Sequence, residues 1–368
     1  MADRSSISSS DGLALGSSEK NADWRAGARA ESCAPAHPRR RPTAILFAIG
    51  LAVLIHAGAA RIHPDPVARP ELRDKARSLT RQRTPMIVIS GDSCVKCGII
   101  PALLAEKLDV PSESIINMAE SACDTSAVAA AYTEYAHRFA SDPTLIVNLS
   151  FFSANDGAGD ILGDELLWSL SFRDRLHLAG LARSVQSMFL PEKAVWQDLT
   201  RFWPRAVGRY AESGFESAPA HLSVSTWTPD HRRDRADALR QWWYTDLRTD
   251  GLRWEKLRAD LETLAGHTRI HVLVMPLHPS FIKHIQGTAA AEAEQRFRAG
   301  IQDLCDQLGI VCLSYDAECL RPTDPDCLFH DLVHLNRAGA EVFTTVLARD
   351  LASLKTASHR AQPLARGE

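Results

Sequence analysis

Residues 86–354 alternate short, almost wholly apolar runs with longer stretches in which apolar positions recur every three or four residues. The runs at 86–90 (MIVIS), 114–118 (SIINM), 145–152 (LIVNLSFF), 269–276 (RIHVLVMP) and 310–315 (IVCLSY) predict β-strands, because short β-branched apolar runs between turn formers suit strands buried on both faces. The stretches at 99–108, 127–140, 288–308 and 337–354 carry the helical period. Such alternation predicts an α/β domain with a parallel sheet between helical layers. Residues 157–267 interrupt it with a mostly helical insertion that holds most of the tryptophans. No repeat of fixed period is present, so neither a solenoid nor a propeller is expected.

The pattern differs upstream. Residues 1–42 are rich in Ser, Ala, Arg and Pro and have little apolar periodicity, which predicts a disordered tail. Residues 43–60 (TAILFAIGLAVLIHAGAA) form an apolar run without Asp, Glu, Lys or Arg, close to the ~20 residues a helix needs to cross a bilayer. Arg39, Arg40 and Arg41 precede it, and the positive-inside tendency predicts a cytoplasmic N-terminus with everything after Arg61 exported. A single-pass signal-anchor in the cell membrane is therefore expected, with the main domain in the periplasm or outside. Two alternatives stay open: a cleaved signal peptide, with the small residues 57–60 as its cleavage site, and a buried core helix. Residues 61–85, polar and Pro-containing, predict a linker; 86–356 the domain; and 357–368 a second disordered tail.

The 368 residues, 45% hydrophobic and 24% charged, suffice for one large domain. A formal net charge of −3 gives no electrostatic basis for binding nucleic acid. Seven of the eight cysteines follow the apolar run, as suits an oxidising compartment, and Cys319 and Cys327 flank a short loop as a candidate pair. Cys33 lies on the cytoplasmic side of the expected span.

Candidate chemistry falls at strand ends, where ligands of open parallel sheets bind. Gly91-Asp92-Ser93 follows the first strand and opens a helix, so glycine permits the sharp turn and the helix start surrounds the Ser93 hydroxyl with N–H groups. A serine nucleophile needs a base, and the base needs an orienting carboxylate. Asp331 and His334, three residues apart in Phe329–Asn336, supply both, with Asn336 placed to cap the next helix.

At these residues the chain resembles the SGNH hydrolase superfamily, the GDSL-like esterases. Ser93 in Gly-Asp-Ser matches the first block and its nucleophile, and Asp331-Leu332-Val333-His334 matches the final Asp-x-x-His block, continued by Leu335-Asn336 and Gly339. Residues 117–122 (NMAESA) resemble the second block with Ala122 in place of the oxyanion-hole glycine, and Ser153-Ala154-Asn155-Asp156 resembles the third. The resemblance implies the three-layer flavodoxin-like SGNH fold. It also implies acyl transfer by Ser93, His334 and Asp331 without a cofactor or metal, the oxyanion held by the Ser93 and Ala122 N–H groups and the Asn155 amide. Gly91 and Asp92 would support the turn.

The apolar N-terminal run, Gly98-Ile99-Ile100-Pro101 and Pro276-Leu277-His278-Pro279 further resemble membrane-anchored exported proteins of the alginate O-acetylation kind. That likeness implies an O-acyltransferase or esterase working on a polysaccharide or other acyl ester, with a membrane-bound O-acyltransferase as partner. His278 is a candidate substrate contact, or equally a cap at the strand end. Two readings compete with the enzyme: an inactive SGNH-like module that binds glycan or assembles a complex, and a thiol oxidoreductase using Cys94-Val95-Lys96-Cys97, since Cys-x-x-Cys at a helix start lowers thiol pKa. Trp242, Trp243 and Trp254 suit core more than sugar stacking, and the Arg-rich stretch 231–240 suits a solvated helix face, with phosphate or anionic glycan binding as the lesser reading.

Overall fold

In a computed structural model the described residues are 41–62, 85–156, 164–191, 223–245 and 247–361, with isolated positions 72, 75, 193, 195 and 215. The tail expected at 1–42 lies almost wholly outside them, as do most of the linker and residues 157–163 and 196–214 of the insertion; of the second tail, expected disordered over 357–368, residues 357–361 instead continue the last helix and 362–368 lie outside the described residues.

Five strands form one parallel sheet: β1 (Ile87–Ser90), β2 (Ile115–Asn117), β3 (Thr144–Asn148), β4 (Arg269–Val274) and β5 (Val311–Ser314), in the order β2-β1-β3-β4-β5. This is the doubly wound order, with its switch point between β1 and β3, where the chain leaves in opposite directions and a crevice opens at the carboxyl ends. All four residues of β1 are buried and β3 is buried from Leu145 to Asn148, as a sheet covered on both faces requires.

The helices are α1 (Arg41–Ile62), α2 (Ser93–Gly98), α3 (Pro101–Lys107), α4 (Thr125–Tyr135), α5 (Asp164–Ser169), α6 (Phe172–Ser187), α7 (Pro229–Tyr244), α8 (Leu252–Ala265), α9 (Pro279–Ile285), α10 (Ala289–Leu308) and α11 (Arg337–Ala361). The single helix expected over 99–108 is two: Pro101 cannot continue α2, so Ile99 and Ile100 are extended and α3 restarts with proline in its first turn. The strand expected to reach residue 152 stops at Asn148, where the chain turns into a 3₁₀ segment, Phe151–Ala154. One core joins the sheet to α8, α10 and α11 through Leu261, Phe297, Ile301 and Phe343, all fully buried. Trp243 and Trp254 belong to it, whereas Trp242 is half exposed.

α1 is long and apolar enough to cross a membrane over Ile45–Ile62, and its large side chains are exposed, Phe47 by 74%. By contacts the chain divides within this helix into Met1–Ile49 and Gly50–Glu368; the sheet and the other helices belong to the second. Leu72 and Lys75, in the stretch expected to be a linker, are buried, with the Leu72 N–H donating to Glu120 and the Lys75 ammonium to the Ala119 carbonyl.

Candidate active site

The turn after β1 is built by Gly91 and Asp92. Gly91 has φ of 135°, and a Cβ there would stand 2.7 Å from the Cβ of Asn148, so only glycine lets β1 leave the sheet this close to the end of β3. Asp92 caps α2, accepting from the Cys94 N–H at 2.9 Å, and the same oxygen accepts from the Asn148 side-chain amide at 2.8 Å. Burial pushes the Asp92 carboxyl above its ordinary value against the hydrogen bonds that favour its charged form. Ser93 is thus fixed at the first position of α2, where its N–H has no acceptor within the helix.

The base arrives from the other end of the chain. The segment between β5 and α11 closes on itself through the pairing of Phe329 with Leu335 and a 2.8 Å bond from the His330 N–H to the His334 carbonyl. Asn336 pins its exit, accepting from Gly339 N–H at 3.0 Å and donating to the Cys327 carbonyl at 2.8 Å. Gly339 is required by closeness, since a Cβ would lie 2.1 Å from the Leu328 carbonyl oxygen. Inside this loop Asp331 accepts from the N–H groups of Val333 (2.9 Å) and His334 (2.8 Å), and both its oxygens stand 3.0 Å from His334 Nδ1.

His334 Nε2 lies 2.8 Å from Ser93 Oγ. Burial acts to raise the Asp331 carboxyl, but the hydrogen bonds and charge of His334 and the two backbone N–H groups outweigh it and hold the group at about 2. Burial acts to lower the His334 imidazole, and the bond to Asp331 and that charge outweigh it, leaving it above its ordinary value. Both shifts describe one contact: a carboxylate that favours the imidazolium formed when the ring takes a proton.

The loop after β2 approaches from the side. Asn117 donates to the carbonyls of Val95 and Ile99 (3.0 and 3.3 Å) and accepts from Ala119 N–H (3.0 Å), while Glu120 N–H donates to the Gly91 carbonyl (3.0 Å). These bonds tie the second-block loop to the serine turn. Ala122 sits at φ of 54°, left-handed backbone that favours glycine.

Asn155 is placed differently from its expected role. Its side-chain amide donates to the carbonyls of Trp242 and Trp243 (both 3.1 Å), its residue pairs with Leu247, its own carbonyl accepts from Arg253 (2.9 Å), and it is fully buried. The 3₁₀ turn after β3 carries it to the C-terminal end of α7, so its N–H groups satisfy helix carbonyls. Asp156 accepts from the N–H groups of Leu252 and Arg253 at the start of α8. His278, 2% exposed, does not line the cleft: Nδ1 accepts from Ser280 N–H (3.1 Å) as the cap of α9, and Nε2 faces Asp326 at 3.0 Å.

Cys94 is buried, and burial followed by the charges of Asp92 and Asp331 pushes its thiol well above the ordinary value, the opposite of an activated thiolate. Neither Cys94 and Cys97 nor Cys319 and Cys327 are joined by a disulfide, which corrects the expected Cys319–Cys327 pair. Among the described residues no three His, Cys, Asp or Glu side chains are grouped to hold a metal ion.

Two residues at the site were not foreseen. Asn148 carried one signal, a lone amide in an otherwise apolar strand. Arg235 carried only its place in the Arg-rich stretch 231–240: it reaches the site from α7, with Nη2 3.8 Å from Asp331 Oδ2. α7 is held there because Val224 N–H donates to the Phe329 carbonyl, Ser223 to the Asp326 carbonyl, and Arg232 pairs with the Asp326 carboxylate at 2.8 Å.

Fold and contacts together define a doubly wound α/β protein with a Ser–His–Asp hydrogen-bonded chain beside the carboxyl ends of its strands. No protein-family model matches the chain, and no curated protein matches it. Among solved structures it is similar to one from Streptococcus pneumonia that carries the provisional name platelet activating factor, with 13% identity, 76% of this chain and 92% of that chain covered, and a TM-score of 0.33. At that level of likeness the activity of this chain rests on its own residues.

Proposed function

We propose that the protein is an SGNH-type serine esterase or O-acyltransferase that works on O-acyl, chiefly O-acetyl, groups of a cell-envelope or secreted polysaccharide. The observation that carries the reading is the 2.8 Å contact between Ser93 Oγ and His334 Nε2, with Asp331 behind the ring. In the reaction His334 takes the Ser93 proton as Oγ bonds to the ester carbonyl carbon, and Asp331 holds the imidazolium. The oxyanion is received by the N–H groups of Ser93 and Ala122. Collapse releases the sugar hydroxyl, which takes the proton from His334, and water or a second hydroxyl then removes the acyl group from Ser93. Asn155 is left out of this hole because its amide is bonded elsewhere.

The apolar helix Ile45–Ile62 supports a membrane anchor; in this proposal the domain is exported and a membrane-bound O-acyltransferase supplies its acyl groups. The engaged Asn155 amide favours a second reading, a module that binds glycan without turning it over. Acetate release from a small acetyl ester separates the two. The enzyme reading expects turnover that Ser93→Ala lowers by at least about three orders of magnitude; equal turnover by a folded Ser93→Ala variant defeats it.

A further inference from the structure

We infer that Arg235 selects substrates carrying a negative charge beside the ester that Ser93 attacks, an inference that rests on the esterase or acyltransferase reading above. The arginines of α7 are otherwise spent: Arg232 holds the Asp326 carboxylate through two nitrogens at 2.8 and 3.3 Å, Arg233 pairs with Asp230 at 2.9 Å, and Arg240 with Asp237 at 3.1 Å. Arg235 makes no hydrogen bond among the described residues. Among the described residues the one carboxylate within 4 Å of it is Asp331 at 3.8 Å, beyond hydrogen-bond length, and the facing oxygen already serves His334 Nδ1 at 3.0 Å.

The Arg235 side chain is 40% exposed, so it meets solvent while it flanks the Asp331–His334–Ser93 chain. A guanidinium presents N–H groups in a planar fork that matches a carboxylate or phosphate through two parallel bonds. A substrate with its ester at Ser93 and an anionic substituent on the same or the next sugar would fill that fork.

A purely structural Arg235 would serve Asp331, yet that carboxylate already accepts two backbone N–H bonds and one from the imidazole, which fix it without help. The cation also opposes protonation of His334.

The test compares acetate release from three acetylated sugars alike in size: an O-acetyl hexuronate, the corresponding uronamide, and an O-acetyl hexose phosphate. The full-length protein is expected to favour one or both anionic esters over the uronamide by about five- to tenfold in kcat/KM. The difference should lie mainly in KM and shrink as ionic strength rises from about 0.05 to about 0.5 M. Arg235→Gln should bring the ratio towards one, and Arg235→Lys should keep part of it. Preference for the hexuronate alone, or the phosphate alone, identifies the anion. A wild-type ratio near one at low salt overturns the inference while leaving the triad reading intact. An equal fall on all three esters in Arg235→Gln, with the ratio kept, assigns Arg235 to positioning and also overturns it. Turnover of none of the three by the wild type overturns both.

Discussion

Replacing Asp331 by asparagine changes one oxygen to an amide nitrogen at the point where the two ends of the chain cooperate. The remaining oxygen can still accept from Val333 and His334 N–H, so the loop keeps its shape. What changes is one of the two groups 3.0 Å from His334 Nδ1, now a donor, which favours the tautomer that carries its proton on Nε2, towards Ser93. A ring in that tautomer cannot take the serine proton. Loss of turnover on the order of 10⁴ is expected, as when a triad carboxylate becomes an amide elsewhere.

The same substitution has a cost in stability. Asp331 is 11% exposed and is held at about 2 against an ordinary 3.8, which corresponds to about 2 kcal/mol favouring the folded, ionised state. Because the folded value is depressed, this contribution is present above pH 3.8 and is lost as pH falls through about 2. The raised His334 value describes the same contact from the other side: its contribution is present below 6.5 and fades as pH rises through the folded value.

Wild-type kcat/KM should therefore climb with pH through a midpoint above 6.5, as His334 loses its proton. In Asp331→Asn the residual activity should show that midpoint displaced to lower pH, and denaturant unfolding should lose the acid-side fall in stability. Near wild-type turnover with an unmoved midpoint refutes the assignment of Asp331 as the partner of His334.

Three further substitutions test the surroundings. Gly339→Ala drives a Cβ into the Leu328 carbonyl and should cost about 1–3 kcal/mol in urea unfolding and lower kcat by displacing the His334 loop; unchanged stability contradicts the packing. Ala122→Val places a β-branched side chain at φ of 54° and should reduce kcat for acetyl esters more than it changes KM, because it shifts a donor to the oxyanion. His278→Ala removes the cap of α9 and should lower stability by about 1 kcal/mol without raising KM for esters; a large rise in KM restores His278 as a substrate contact.

The strands were legible because sheets covered on both sides need unbroken apolar runs, and the pairing of the serine turn with the distant Asp331–His334 loop was expected from the likeness of the two segments to the first and final SGNH blocks. Asn155 was misread for a physical reason: its spacing after β3 fits a donor to the oxyanion, but its amide is claimed by carbonyls at the end of a helix 87 residues on. A helix end in an insertion leaves no mark on the segment it captures. Arg235 was not singled out for a like reason: it is one arginine among several on α7, of which Arg232 takes the Asp326 carboxylate by packing while Arg233 and Arg240 pair with Asp230 and Asp237 within the helix. Cys94 misled in the opposite sense, because Cys-x-x-Cys at a helix start suggests an activated thiol, whereas burial beside Asp92 and Asp331 disfavours the thiolate.

The most direct measurement is labelling of the folded protein with a fluorophosphonate, a reagent that bonds only to a serine whose hydroxyl is activated, followed by peptide mapping. The account predicts one adduct, on Ser93, lost in Ser93→Ala and strongly reduced in His334→Ala. A folded protein that stays unlabelled, or that is labelled on a different serine, contradicts it.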